Sequence, residues 1–364
     1  MKNKRLSTFA VVTLVGILVS VVAWSNHPAS SGWKSTHSVR RSPQHDVMSQ
    51  CRGCHQEVVD SFQSAPHFNT LISGDAPSVI EMFAGKEFSG QGGHYQFTGT
   101  AEQASLQVVG TAKSLPVDWV FGAGAHARTP VCVFENADGE TELLQHCLSW
   151  YPDGTVKPTL GNDGETLDLD NPGTPSSHGA TRECFGCHAT TLVVEDGRIL
   201  FEQSQLSIQC NRCHENTDQH IEDALAGGAS VSSFNSWATL SPIDSVNRCG
   251  ECHRRRDHFP EDELVPDNKQ LARFASVGIA LSGCFVNQTK QHRMDCTTCH
   301  NPHRPAESRP EFYNSICLDC HQSEQQETVV CHKMPNDSNC VSCHMPKLPF
   351  QEGLEFTDHW IRVR

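Results

Sequence analysis

Seven copies of Cys-x-x-Cys-His run through this chain of 364 residues, and no other feature narrows its chemistry so far. They are Cys51-Arg52-Gly53-Cys54-His55, Cys184-Phe185-Gly186-Cys187-His188, Cys210-Asn211-Arg212-Cys213-His214, Cys249-Gly250-Glu251-Cys252-His253, Cys296-Thr297-Thr298-Cys299-His300, Cys317-Leu318-Asp319-Cys320-His321 and Cys340-Val341-Ser342-Cys343-His344. Each has the form of a covalent c-type haem site, which implies seven covalently bound haem c groups. The two thiols form thioethers with the haem vinyl groups, and the adjacent His ligates the iron. A separation of three residues puts both sulfurs on one side of a helical turn, and the next residue can swing beneath the iron. Structural zinc would need four ligands, so the motifs would have to combine two by two. Neither zinc nor disulfides explains why a His follows the second Cys in every copy.

The rest of the composition suits this reading. Hydrophobic residues make up 37% of the chain and aromatics 7%, a thin supply for a conventional core. Seven porphyrins would supply the missing apolar faces, and covalent attachment would brace the chain as disulfides and metals brace small folds. The formal charge of −14 and the lack of a basic tract argue against a nucleic-acid partner. An acidic surface favours a basic docking partner and salt-sensitive association. Arg254-Arg255-Arg256, directly after the fourth motif, is the densest basic run: either a partner for haem propionates or a solvated face.

Residues 1–24 read as an export segment, either a cleaved signal peptide or a retained N-terminal membrane anchor. Lys2, Lys4 and Arg5 precede an apolar run from Phe9 to Trp24, and Val21-Val22-Ala23 offers a cleavage site. The expected location is periplasmic, or periplasm-facing and membrane-tethered, which agrees with where c-type haem is attached in bacteria. A polar linker follows over 25–45. Residues 46–93 form a single-haem helical segment, with a helix expected from Cys51 to about Phe62. After a gap of 133 residues between motif starts, the later motifs begin 26, 39, 47, 21 and 23 residues apart. Residues 161–364 are therefore a six-haem domain.

Between them, residues 94–160 read as a β-rich insertion. Runs at 94–97, 105–109, 117–121, 130–134 and 143–150 are separated by turn signals, Asp138-Gly139 and Asp153-Gly154 being the clearest. Cys132 and Cys147 flank the first of these turns, either as a disulfide across a hairpin or as two buried thiols. Cys284 and Cys331 are the other cysteines outside the motifs. The fold class expected is a mainly α and irregular multihaem cytochrome c wrapped around its haems, with this β-rich insertion.

The second axial ligand of each iron decides function. A bis-His haem is saturated and suits electron transfer, whereas an open iron can bind substrate. Of 21 histidines, seven belong to the motifs, so fourteen remain. His67, His220, His303 and His359 are the foremost candidates by placement. His126 and His178 rank next. His94, His146, His258, His292 and His332 are held in reserve, and His27, His37 and His45 lie in or near the linker. No Met stands out as an axial ligand, and no motif ends in Lys instead of His.

With these residues assembled, the chain resembles the multihaem cytochrome c superfamily, specifically the cytochrome c-552/c-554-like proteins. The resemblance rests on Cys51 to His55 with Ser64-Ala65-Pro66-His67, Phe121 to His126, Cys184 to Thr190, Cys296 to His303, Cys340 to Pro346 and Phe356 to Arg362. It implies haems packed in parallel-stacked and perpendicular pairs, with distal roles for His67, His220, His303 and His359. The stretch from Cys213 to Asp218 departs from the usual Gly-Pro-Gly-like turn, and the tetratricopeptide repeats of many relatives have no counterpart here. The function expected is electron carriage between redox protein partners, a membrane quinol-linked complex among them. The alternative is an oxidoreductase acting on a small nitrogen or sulfur oxyanion, or on hydroxylamine, at one open haem. A third reading makes the β segment a dock for a quinol oxidase or reductase complex.

Overall fold

The computed structural model describes residues 47–90, 93–161, 172–227, 236–289, 292–321 and 339–364. The expected export segment and linker, with His27, His37 and His45, lie outside these residues, as do Cys331 and His332. Among the described residues no helix is long and apolar enough to cross a membrane.

Two antiparallel sheets build the central part of the chain. One has four strands in the order Glu87–Gly90, Gly93–Gly99, Ala104–Val108, Ser114–Pro116. The other has five, in the order Leu71–Ser73, Trp119–Phe121, Thr129–Glu135, Thr141–His146, Gly173–Ser176. Period-two alternation explains the packing, since neighbouring residues on a strand face opposite sides. Cys132, Phe134 and Leu144 face the four-stranded sheet and share a core with Tyr95, Phe97, Leu106 and Val108. Val131, Val133 and Leu143 face the other way and pack against Phe185 and Ile199. The five-stranded sheet is thus buried on both sides, and its second face receives the helix that carries the second motif.

The strands therefore reach beyond the expected 94–160. They start at Leu71 and include Gly173–Ser176, which pairs with Leu143 to His146. Both turn signals sit where the chain reverses, with Gly139 and Gly154 at φ 79° and 81°. Cys132 pairs in register with Leu144, so Cys147 is not the residue opposite it. Both remain thiols in the same apolar core. Burial raises the pKa of each, that of Cys147 to about 12.

His146 is fully enclosed in this core, its ring stacked on Phe97. Its Nε2–H donates to the Pro116 carbonyl at 3.0 Å, while Nδ1 has no partner. Desolvation lowers its pKa from 6.5 to about 4, only partly countered by that carbonyl. The folded state therefore resists a proton that the unfolded chain accepts below pH 6.5. Stability is fully present above that pH and falls as the pH drops towards 4, by about 3 kcal/mol in all. Urea unfolding of the β part at pH 7 and pH 4.5 should show this loss, and His146→Leu should reduce it. An equal loss in the variant would place the acid sensitivity elsewhere.

The cysteines of all seven motifs lie on helices, Val47–Gln63, His178–Cys187, Cys210–Cys213, Pro242–His253, Cys296–Cys299, Pro310–His321 and Cys340–His344, with His188, His214 and His300 directly after a helix end. The first is kinked at His55, whose φ of −118° and ψ of 41° leave the helical region. Apolar packing is sparse here. The helix Pro310–His321 has no buried residue, and the three clusters outside the sheets hold five, four and three buried side chains.

Candidate haem sites

The histidines outside the motifs come to the motif histidines in pairs. His55 and His220 have ring centres 6.2 Å apart and an interplanar angle of 26°. His67 and His253 are 6.1 Å apart at 82°, His214 and His303 5.8 Å at 9°, and His300 and His359 6.2 Å at 48°. A metal-bound imidazole nitrogen lies about 2.0–2.1 Å from the ion with its ring centre about 1.1 Å behind, so two rings on opposite sides of one iron have centres roughly 6 Å apart. All four separations fit that arrangement. A porphyrin supplies four nitrogens of its own, so a facing pair is the whole protein contribution an iron needs. Among the described residues no group of three or more His, Cys, Asp or Glu is arranged to hold a metal ion alone.

Each partner histidine belongs to the segment after a different motif. His67 follows the first motif and meets the histidine of the fourth. His220 stands on the helix Thr217–Leu225 after the third motif and meets that of the first. Asn216, at φ 58°, makes the turn that starts this helix. His303 follows the fifth motif and meets the histidine of the third. Its backbone N–H donates to Asn301 Oδ1 at 2.9 Å, and its carbonyl accepts from Ser61 Oγ at 3.1 Å. The tail residue His359 meets the histidine of the fifth.

The surroundings favour neutral imidazoles, the form that binds a metal. Desolvation is the first cause lowering the pKa of His214, His300, His303 and His359. His253 falls to about 4, through desolvation and then through His67, His359, His188 and His300 around it. Several rings are also fixed through Nδ1. That atom donates to the Thr357 carbonyl in His359, to the Arg362 carbonyl in His344 and to the Thr70 carbonyl in His188, at 2.9, 2.9 and 2.8 Å. A carbonyl on Nδ1 sets the tautomer that leaves Nε2 free for a metal.

His188, His321 and His344 have no facing imidazole among the described residues. Phe121 instead lies edge-on to His188, with centres 4.7 Å apart. His126 and His178 do not join any motif histidine in the manner expected of them. His126 packs on Phe356 at 4.7 Å, and His178 Nδ1 donates to the Thr141 carbonyl at 3.0 Å. Of the reserve set, His94 stands beside Glu87, His146 is sealed in the β core, and His292 Nδ1 is 3.7 Å from Cys320 Sγ.

The motifs also meet through their thiols. Cys51 contacts Cys210, Cys187 contacts Cys252, Cys249 contacts Cys296, and Cys317 contacts Cys340. Motif one is thus beside three, two and five beside four, and six beside seven. Cys284 stands near Cys299 and Cys320 and so between motifs five and six.

Residues 162–215 match the family model of cytochrome c554 and c-prime. This segment holds the second and third motifs, and the match supports a haem-based electron-transfer protein with covalently bound haem c. A solved structure, that of the outer cell wall cytochrome OcwA, is similar over 86% of this chain and 79% of its own, with 14% identity and a TM-score of 0.47. No curated protein matches the chain.

Sequence reasoning singled out His67, His220, His303 and His359 but not what holds them. The carbonyls of Thr70, Thr357 and Arg362 carry no signature in a sequence, because every residue has one. The αL turn at Asn216 was legible only as a departure from a glycine-containing turn, and Asn tolerates that conformation better than most residues.

Proposed function

We propose that this chain is an exported heptahaem c-type cytochrome that carries electrons between redox protein partners through mostly bis-His haems. The observation that carries the reading is the set of four imidazole pairs, each joining a motif histidine to one from another segment. In this reading His55, His188, His214, His253, His300, His321 and His344 are proximal ligands, and His67, His220, His303 and His359 are distal ones. Haem iron supplies one-electron redox chemistry. Burial favours the neutral form of His188, His214, His253, His300, His303 and His359, carbonyls fix the tautomers of His188, His344 and His359, and neighbouring motifs meet thiol to thiol, so that electrons have short steps. The basic start and the apolar run from Phe9 to Trp24 support export, with either cleavage or retention as an anchor. A membrane quinol-linked complex is a fitting partner for a carrier on that side of the membrane.

The second reading is an oxidoreductase acting on a small nitrogen or sulfur oxyanion, or on hydroxylamine. It draws on His188, which meets no second imidazole among the described residues, its ring contact being the edge-on Phe121. Ferric EPR with added nitrite, cyanide or CO separates the two. Seven low-spin irons indifferent to ligands would sink the enzyme reading, whereas a high-spin signal that shifts with nitrite would favour it over a pure carrier. The angles add a second check. Near-parallel rings at His214 and His303 split the iron d-orbitals that perpendicular rings at His67 and His253 leave nearly degenerate, so two distinct low-spin signals should appear.

A further inference from the structure

The tail that carries His359 is clasped by a short buried helix, Ala275–Leu281. Gly278 sits inside that helix, where glycine is less favourable than alanine. The reason is proximity. A Cβ at this position would lie 2.8 Å from His359 C, 2.8 Å from Trp360 N and 3.1 Å from His359 Cβ. Two of these are backbone atoms, which cannot rotate away. One turn on, Ser282 Oγ accepts from Ile361 N–H at 2.8 Å and shares its one hydrogen between the His359 carbonyl at 2.9 Å and the Gly278 carbonyl at 3.0 Å. The tail is held on its other side too. Asp358, buried, accepts from Trp360 N–H and pairs with Arg362 and Arg364. Trp360 and Ile361 pack into the apolar clusters on either side of the helix. His359 is therefore fixed at three levels: its backbone by Gly278 and Ser282, its flanks by packing, its ring by the Thr357 carbonyl.

We propose that Gly278 and Ser282 are positioning residues that hold His359 opposite His300 and so keep the iron of the fifth motif six-coordinate. The proposal rests on the bis-His reading above. Neither residue touches the iron or the imidazole ring; both act through the His359 backbone. An added methyl at Gly278 pushes that backbone away, and loss of the hydroxyl at Ser282 frees it.

The test is ferric EPR and haem content of the full holoprotein. His359→Ala should convert one further iron to a high-spin form, relative to the parent protein. Gly278→Ala should yield the same species at unchanged haem content, and added imidazole should return it to low spin. Ser282→Ala, which adds no bulk, should yield a partial conversion, restored by Ser282→Thr. If His359→Ala alters the spectrum while Gly278→Ala and Ser282→Ala do not, the positioning role is overturned. If His359→Ala itself adds no high-spin iron to those of the parent protein, the bis-His reading of this pair fails and the proposal fails with it. Should Gly278→Ala not accumulate, the Ser282 pair of variants decides.

Discussion

Produced without haem attachment, the chain should keep a folded β part and lose order over most of the remainder. The expectation follows from where the apolar contacts lie. One cluster between the two sheets joins sixteen buried side chains, and a second beneath the five-stranded sheet joins seven. Burying a Val, Leu or Phe fully contributes about 1.5–3 kcal/mol each before chain entropy is counted, so clusters of this size suit a domain that folds on its own. Past residue 240 the clusters hold four and three buried residues, and the helix carrying the sixth motif buries none. Segments so poor in apolar contacts need a covalent or metal brace, which seven attached haems would provide. Limited proteolysis of haem-free protein, read by mass spectrometry, should leave a resistant fragment near residues 71–206 and degrade residues 210–364. Uniform digestion would show that the sheets also depend on haem. Uniform resistance would show that the haems are not the core of the C-terminal part.

Local signals explain which features could be read from the sequence. The runs at 94–97 and 105–109 coincide with the strands Gly93–Gly99 and Ala104–Val108, because a half-buried strand writes its period into its own residues, and the continuous apolar run at 130–134 coincides with Thr129–Glu135, which is buried on both faces. The strands that were missed are short edges such as Leu71–Ser73, Glu87–Gly90 and Gly173–Ser176. Gly173–Ser176 reads Gly-Thr-Pro-Ser, which looks like a turn until its partner Leu143 to His146 is known. Pro is tolerated there because the strand is at the sheet's edge. The same division runs through the haem sites. Motif helices and motif histidines are local patterns. That His67, His220, His303 and His359 stood apart was legible from placement, but the mate of each was not, since the members of a pair come from distant segments. His126 and His178 ranked next on local context; one packs on Phe356 and the other against the Thr141 carbonyl.

Replacing Phe185 with alanine should be among the most damaging single changes outside the ligands. Phe185 occupies a variable position of the second motif, yet it is wholly buried. Its ring centre lies 5.1 Å from that of Phe121, 5.0 Å from Phe201 and 6.4 Å from Trp119. It thus joins the motif helix to the outer face of the five-stranded sheet. Truncating a buried Phe costs about 3–5 kcal/mol, through lost transfer energy and the cavity left behind. The damage should not stop at stability, because Phe121 rests on both Phe185 and the ring of His188. Loosening that stack frees His188 on the side not held by Thr70. Phe185→Ala should therefore lower the urea midpoint and also broaden or shift the spectral signature of the second haem. Phe185→Leu, which keeps most of the volume, should retain the signature with a smaller loss of stability. A large stability loss in Phe185→Ala with no spectral change would mean that the sheet braces the helix without governing its histidine. Both changes together would mean that the β part is the wall against which the second haem site is built.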